Sequence, residues 1–133
     1  MGLPGSGKTT LASKLASSLD CAWFNGDVVR KLCGHHDFSP ESRDIQAMRM
    51  RTYADFETEL KKIVICDFVC PTNKAREIFD ADLIIWMNTI AAGRYDDTNL
   101  LFEKPDKYDI RIKNFDYDIS EITKIIKKNV NYK

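Results

Sequence analysis

The sequence carries no surplus of charge: twenty basic and twenty acidic residues cancel to a formal net charge of zero over 133 residues. That balance excludes the broad positive footprint with which proteins hold long nucleic acid, so any anion site must be local. Missing too are an apolar run long enough to cross a bilayer and the charged start with apolar stretch of a secretory signal; the reading is cytoplasmic, with no membrane partner. Cys21, Cys33, Cys66 and Cys70 form no Cys-x-x-Cys pair, and His35 and His36 stand side by side near Cys33 alone. Zinc spacings are thereby excluded, and buried reduced thiols are the plain reading. No internal repeat or low-complexity linker divides the chain, so residues 1–133 are read as a single domain around one core.

What is present starts at once. Gly2-Leu3-Pro4-Gly5-Ser6-Gly7-Lys8-Thr9 matches the phosphate-loop pattern G-x-x-x-x-G-K-[ST] in full, and Thr10 follows. Glycines let backbone N–H groups turn inward around a β-phosphate, and the positive end of the helix starting near Lys8 adds to their pull. Lys8 can span the β- and γ-phosphates, while the Thr9 hydroxyl can take one position on magnesium. ATP with Mg2+ is the cofactor pair this motif predicts. No Asn-Lys-x-Asp segment for reading guanine occurs, which favours a kinase over a GTPase. A phosphate loop normally follows a buried strand, yet only Met1 precedes Gly2. An N-terminal segment beyond this sequence is therefore expected to supply that strand.

Apolar spacing at Leu11, Leu15 and Leu19 predicts a helix over Lys8 to Leu19, followed by a short strand Cys21 to Asn25 and a short helix Asp27 to Leu32. Ser39-Pro40-Glu41 is a helix start with capping serine, proline and acidic first turn. That helix is expected to run to about Lys62 with Ile45, Met48, Thr52, Phe56 and Leu60 as its core stripe. Ile63 to Val69 and Leu83 to Met87 read as strands buried on both faces, separated by a helix from Thr72 to Phe79. A polar stretch from Asn88 to about Lys107 predicts a loop with one helical turn, Tyr108 to Ile112 an edge strand, and Ser120 to Lys128 a closing amphipathic helix. Strands alternating with helices predict an α/β fold, the three-layer P-loop NTPase arrangement of a parallel sheet flanked by helices.

Asn25-Gly26-Asp27-Val28-Val29-Arg30 falls at the end of the strand Cys21 to Asn25, where crevices form in open α/β sheets. Asp27 there could take the proton of an attacking hydroxyl, or could only cap a helix; Arg30 could hold an acceptor phosphate from the same helical face, or be solvated.

In these segments the sequence resembles the adenylylsulfate kinases, which phosphorylate the ribose 3′-hydroxyl of adenosine 5′-phosphosulfate. The phosphate loop with Thr9-Thr10, Gly26 to Arg30, Phe38-Ser39 followed by Arg43, and Pro71 occur in the family's order. The resemblance implies that Phe38 stacks on the acceptor's adenine while Arg30 and Arg43 neutralise its phosphosulfate, with a staple on the following helix as the lesser reading of Phe38. It places Gln46, Pro71 and Thr72 at the acceptor pocket as well, with Gln46 where the family has asparagine and Cys70-Pro71-Thr72 where it commonly has Ser-Pro-Tyr. Asp67 stands where the family has a small residue, and it is a second candidate for magnesium. The family's long basic lid is reduced to about Thr89 to Pro105, leaving Arg94 as the one nearby arginine for the transferring phosphoryl group, or as a plain surface arginine. The implied partner is a small nucleotide, not nucleic acid, and pairing into a homodimer stays open. Two other readings remain: a polynucleotide or nucleoside kinase, and a nucleotide-binding module without efficient transfer.

Overall fold

A computed structural model of the chain describes residues 1–60 and 62–130. Six helices alternate with four strands among these residues: α1 (Lys8–Leu19), β1 (Ala22–Asn25), α2 (Gly26–Leu32), α3 (Pro40–Thr58), β2 (Val64–Asp67), α4 (Asn73–Phe79), β3 (Ile85–Met87), α5 (Asp96–Leu101), β4 (Ile110–Ile112) and α6 (Ile119–Asn129). All strand pairing is parallel, as crossover helices require. β1 pairs with β2 in a register that sets Trp23 opposite Ile65 and Asn25 opposite Asp67, while β3 pairs with β4. The start of the phosphate loop joins the second pair through a parallel bridge between Gly2 and Met87, with Met87 N donating to the Met1 carbonyl at 2.9 Å. A mixed α/β fold with parallel strands flanked by helices is therefore present.

The main core follows the predicted spacing. Leu11, Leu15 and Leu19 of α1 pack with Ile63, Met87, Ile112 and the α6 residues Ile122 and Ile126. Ends are set by local chemistry. The Ser39 hydroxyl accepts from Ser42 N with Pro40 in the first turn, the Thr72 hydroxyl accepts from Ala75 N, and Asp118 accepts from Ser120 N and Glu121 N. α2 is capped by the side chain of Asn25, not by Asp27. Gly26 has to be glycine, because a Cβ there would lie 2.6 Å from the Cβ of Phe68.

α3 departs from expectation. It ends at Thr58, short of Lys62, and residue 61 lies outside the described residues. The anticipated stripe faces outward: Ile45, Met48, Phe56 and Leu60 are 43%, 51%, 68% and 60% exposed, and Thr52 is exposed too. The buried face carries Arg43, Gln46, Ala47, Met50 and Ala54 instead. Two alanines allow close approach to the neighbouring layer, and the polar pair finds partners inside, so hydrophobic spacing pointed to the wrong side. No helix among the described residues is long and apolar enough to cross a membrane.

Candidate active site

Two sizeable cavities concern the site. One, of about 500 Å³, is lined mainly by apolar side chains between β2 and β3, including Leu11, Leu15, Ile65, Ile85 and Met87. The other, of about 820 Å³, runs from the phosphate loop past the ends of β1 and β2 to α5, and it gathers the polar residues. It is the candidate site, because binding a phosphate requires converging polar groups and not merely volume.

At one end Pro4, Gly5, Gly7, Lys8, Thr9 and Thr10 line the wall. Gly7 caps α1 with φ 93°, a left-handed conformation that glycine takes without steric cost, and a Cβ there would come within 3.0 Å of the Phe115 ring. Thr89 anchors the loop by donating from its hydroxyl to the Ser6 carbonyl at 2.7 Å. Gly2, Leu3 and Ser6 are buried and support the loop from behind. Lys8 Nζ donates to the Leu3 carbonyl at 3.0 Å, and burial holds its ammonium below the usual lysine range against the opposing pull of Asp67 and Asp27.

Beside the loop, Asp67 at the end of β2 is 5% exposed and turns toward Thr9, whose hydroxyl donates to Oδ1 at 3.5 Å. The opposite oxygen, Oδ2, accepts from Trp23 Nε1 at 2.8 Å and from Asn25 Nδ2 at 3.0 Å. A hydroxyl and a carboxylate side by side form an oxygen-only donor set, which suits a hard divalent cation such as Mg2+ that draws its other ligands from phosphate and water.

The far end is built from arginines around a ring. The guanidinium carbons of Arg30 and Arg43 lie 4.6 and 5.0 Å from the centroid of Phe38, which is still 47% exposed. Arg30 donates to the Asp37 carbonyl at 2.8 Å, and Arg43 to the Thr98 hydroxyl at 2.8 Å, while Arg43 Nε has no partner. Among the described residues neither guanidinium is in a salt bridge. Burial pulls both below the ordinary arginine value, and in Arg30 the neighbouring charges of Arg43 and Arg49 add to it. The carboxylates of Asp27, Asp37 and Asp97 oppose these shifts without closing a salt bridge among the described residues, which leaves two buried cations able to attract an anion. Asp27 is exposed and lines the same cavity.

Arg94 lines the cavity from the loop before α5, and Pro71 from the loop after β2. Gln46 also reaches the wall, but its amide is committed: Nε2 donates to the Gly26 carbonyl at 3.0 Å and Oε1 accepts from Arg49 at 2.9 Å. Thr72 is placed off the wall as the cap of α4. Several residues lay beyond sequence reasoning: Trp23 and Asn25 behind Asp67, Thr98 on Arg43, and Arg76. Arg76 donates to the carbonyls of Cys70, Pro71 and Glu103, and so holds Cys70 in a left-handed backbone, φ 46°, that costs a non-glycine residue about 1 kcal/mol. For Trp23 and Asn25 a signal existed, since residues two apart on one strand share a face.

The family model for adenylylsulphate kinase matches residues 1–113. Adenylyl-sulfate kinases of Shewanella pealeana and Shewanella halifaxensis are each 38% identical over 82 residues, 57% of this chain and 40% of theirs. The match thus spans well under half the length of those curated relatives. Among solved structures, the Mycobacterium tuberculosis APS kinase CysC in complex with AMPPNP and APS superposes with a TM-score of 0.77 over 98% of this chain and 94% of that one, at 18% identity, a likeness of fold. A hexameric APS kinase from Thiobacillus denitrificans gives 0.67 at 26% identity, covering 98% of this chain and 27% of that one.

Proposed function

The chain belongs to the adenylylsulfate kinase family, and on that premise we propose that it is an ATP-dependent kinase that phosphorylates the 3′-hydroxyl of adenosine 5′-phosphosulfate, a step of sulfate assimilation. The observation that carries this reading is the continuity of one cavity from the phosphate loop, past Asp27, to the Arg30–Phe38–Arg43 cluster. A nucleotide with an aromatic base and an anionic tail fits a ring flanked by two guanidinium groups.

In this reading Gly2 to Thr10 hold the ATP phosphates, with Lys8 following the γ-phosphoryl group as charge moves onto it. Thr9 and Asp67 would hold Mg2+, which when bound neutralises phosphate oxygens. Asp27 accepts the proton of the acceptor hydroxyl; no other group bonds to its carboxylate among the described residues, and α2 is capped by Asn25. Arg94 supplies positive charge from the lid side. The substrate is a small nucleotide, without nucleic acid.

The test is ADP formation from ATP and Mg2+ with and without adenosine 5′-phosphosulfate. Acceptor-dependent turnover is expected. ADP formation indifferent to the acceptor, or none with either, overturns the proposal; turnover with nucleosides or oligonucleotides alone would point to another class of acceptor.

A further inference from the structure

The two oxygens of Asp67 are treated unequally. Oδ2 takes two short bonds, from the Trp23 indole and the Asn25 amide, whereas Oδ1 meets only the distant Thr9 hydroxyl at 3.5 Å. The strand register produces this asymmetry: Asn25 lies directly opposite Asp67, and Trp23, two residues earlier, occupies the same face of β1. Asn25 Nδ2 also reaches Thr9 Oγ1 at 3.2 Å while its Oδ1 caps α2 through Val28 N, so turning the amide over would set its oxygen against Asp67 Oδ2 and its NH2 against the Val28 N–H. An indole N–H can only donate. It therefore cannot be a metal ligand, and it cannot pull the carboxylate in any direction but one.

We propose that Trp23 is a positioning residue for the cation site: with Asn25 it pins Oδ2 of Asp67 and leaves Oδ1 directed at the Thr9 hydroxyl, where the divalent ion of a nucleotide complex is held. This rests on the magnesium-nucleotide reading above. Donors behind a metal-binding carboxylate fix its rotation, and their loss weakens metal binding by roughly tenfold or more. Trp23 acts through the second oxygen of Asp67, so removing its N–H should alter metal affinity without altering how the phosphate loop grips a nucleotide.

The experiment uses the whole chain, with ADP binding measured calorimetrically in EDTA and Mn2+ affinity of the ADP complex measured by electron paramagnetic resonance. Trp23→Phe is expected to leave metal-free ADP affinity unchanged and to weaken Mn2+ roughly tenfold. Replacement of Trp23 by 3-benzothienylalanine, which keeps the ring and puts sulfur in place of N–H, should do the same, and it carries the test if the phenylalanine variant fails to fold. In an Asp67→Asn background the Trp23→Phe change should add nothing, as a double-mutant cycle requires of a residue acting through the carboxylate. An unchanged Mn2+ constant in the benzothienyl protein, or an effect that persists without the carboxylate, overturns the inference. Absence of ADP binding in the unaltered chain would instead overturn the nucleotide reading beneath it.

Discussion

At the phosphate-loop end of the cleft the lining comes largely from one short stretch, Pro4 to Thr10, whereas the opposite end is gathered from α2, the loop before α3, α3 itself and α5. In the proposed function the first end would work through backbone N–H groups and a helix terminus, which tolerate no rearrangement once the turn has formed. The second would work through long side chains over an exposed ring, each held by a single hydrogen bond, Arg30 to the nearby Asp37 carbonyl and Arg43 to the Thr98 hydroxyl. Damage should therefore be all-or-none at the first end and graded at the second.

Substitution of the loop lysine gives the largest expected effect. Lys8→Ala should lower the transfer rate on the order of a thousandfold, by analogy with loss of one preorganised charge-stabilising donor, and should weaken ATP in equilibrium binding; near-normal turnover would break the comparison. Asp27→Asn should leave ATP affinity intact and reduce kcat by about a hundredfold if the carboxylate takes the proton. A matching drop in melting temperature with normal kcat would show that the residue serves the fold.

The acceptor end should respond by degrees. Arg43→Ala removes a charged hydrogen-bonding group worth about 2 kcal/mol, roughly thirtyfold in the acceptor KM. An uncharged adenosine analogue should be nearly indifferent to that change. Phe38→Ala should raise the same constant by about tenfold, through lost stacking of order 1 to 2 kcal/mol, with ATP kinetics unmoved. If both leave acceptor kinetics untouched, the two ends are not parts of one site.

The smallest effect concerns the loop that presents Phe38. Asp37 accepts from the Ser42 hydroxyl at 2.6 Å and from the Ser39 hydroxyl and N–H, and these bonds, that of Ser42 foremost, hold its carboxyl down at about 2 from an ordinary 3.8. A carboxyl harder to protonate in the folded chain contributes fully above its unfolded value and loses that contribution as pH falls toward its folded one. The acid limb of stability between about pH 4 and 2 should accordingly be shallower in Asp37→Asn, as read from urea midpoints across that range.

This difference between the ends also explains what could be read from sequence. The phosphate loop and the α1 spacing were legible because their residues are contiguous and answer to one local geometry. Helix starts at Ser39 and Thr72 were legible for the same reason, although Thr72 turned out to serve α4 and not the cavity wall. α3 misled because its buried side holds Arg43 and Gln46 among alanines while apolar residues face outward, so hydrophobicity and burial run in opposite directions there. The Asp67 cluster was half legible: a buried aspartate announces a task, but its donors lie on a strand more than forty positions earlier, and only the β1–β2 register brings them together. The α5 turn was expected within a loop, while its tie to Arg43 through Thr98 spans 55 positions and leaves no local trace.

The two tryptophans occupy unlike surroundings, and that has a spectroscopic consequence. Trp86 is 6% exposed on β3, its ring 5.5 Å from that of Tyr108 and 4.9 Å from the Arg111 guanidinium, and it does not line the polar cavity. Trp23 is bonded to the carboxylate beside Thr9. In a Trp86→Phe chain the remaining emission would come from a single indole whose excited-state dipole senses the charge on its own hydrogen-bond acceptor, so that occupancy of the cleft could be followed in real time without attaching a dye.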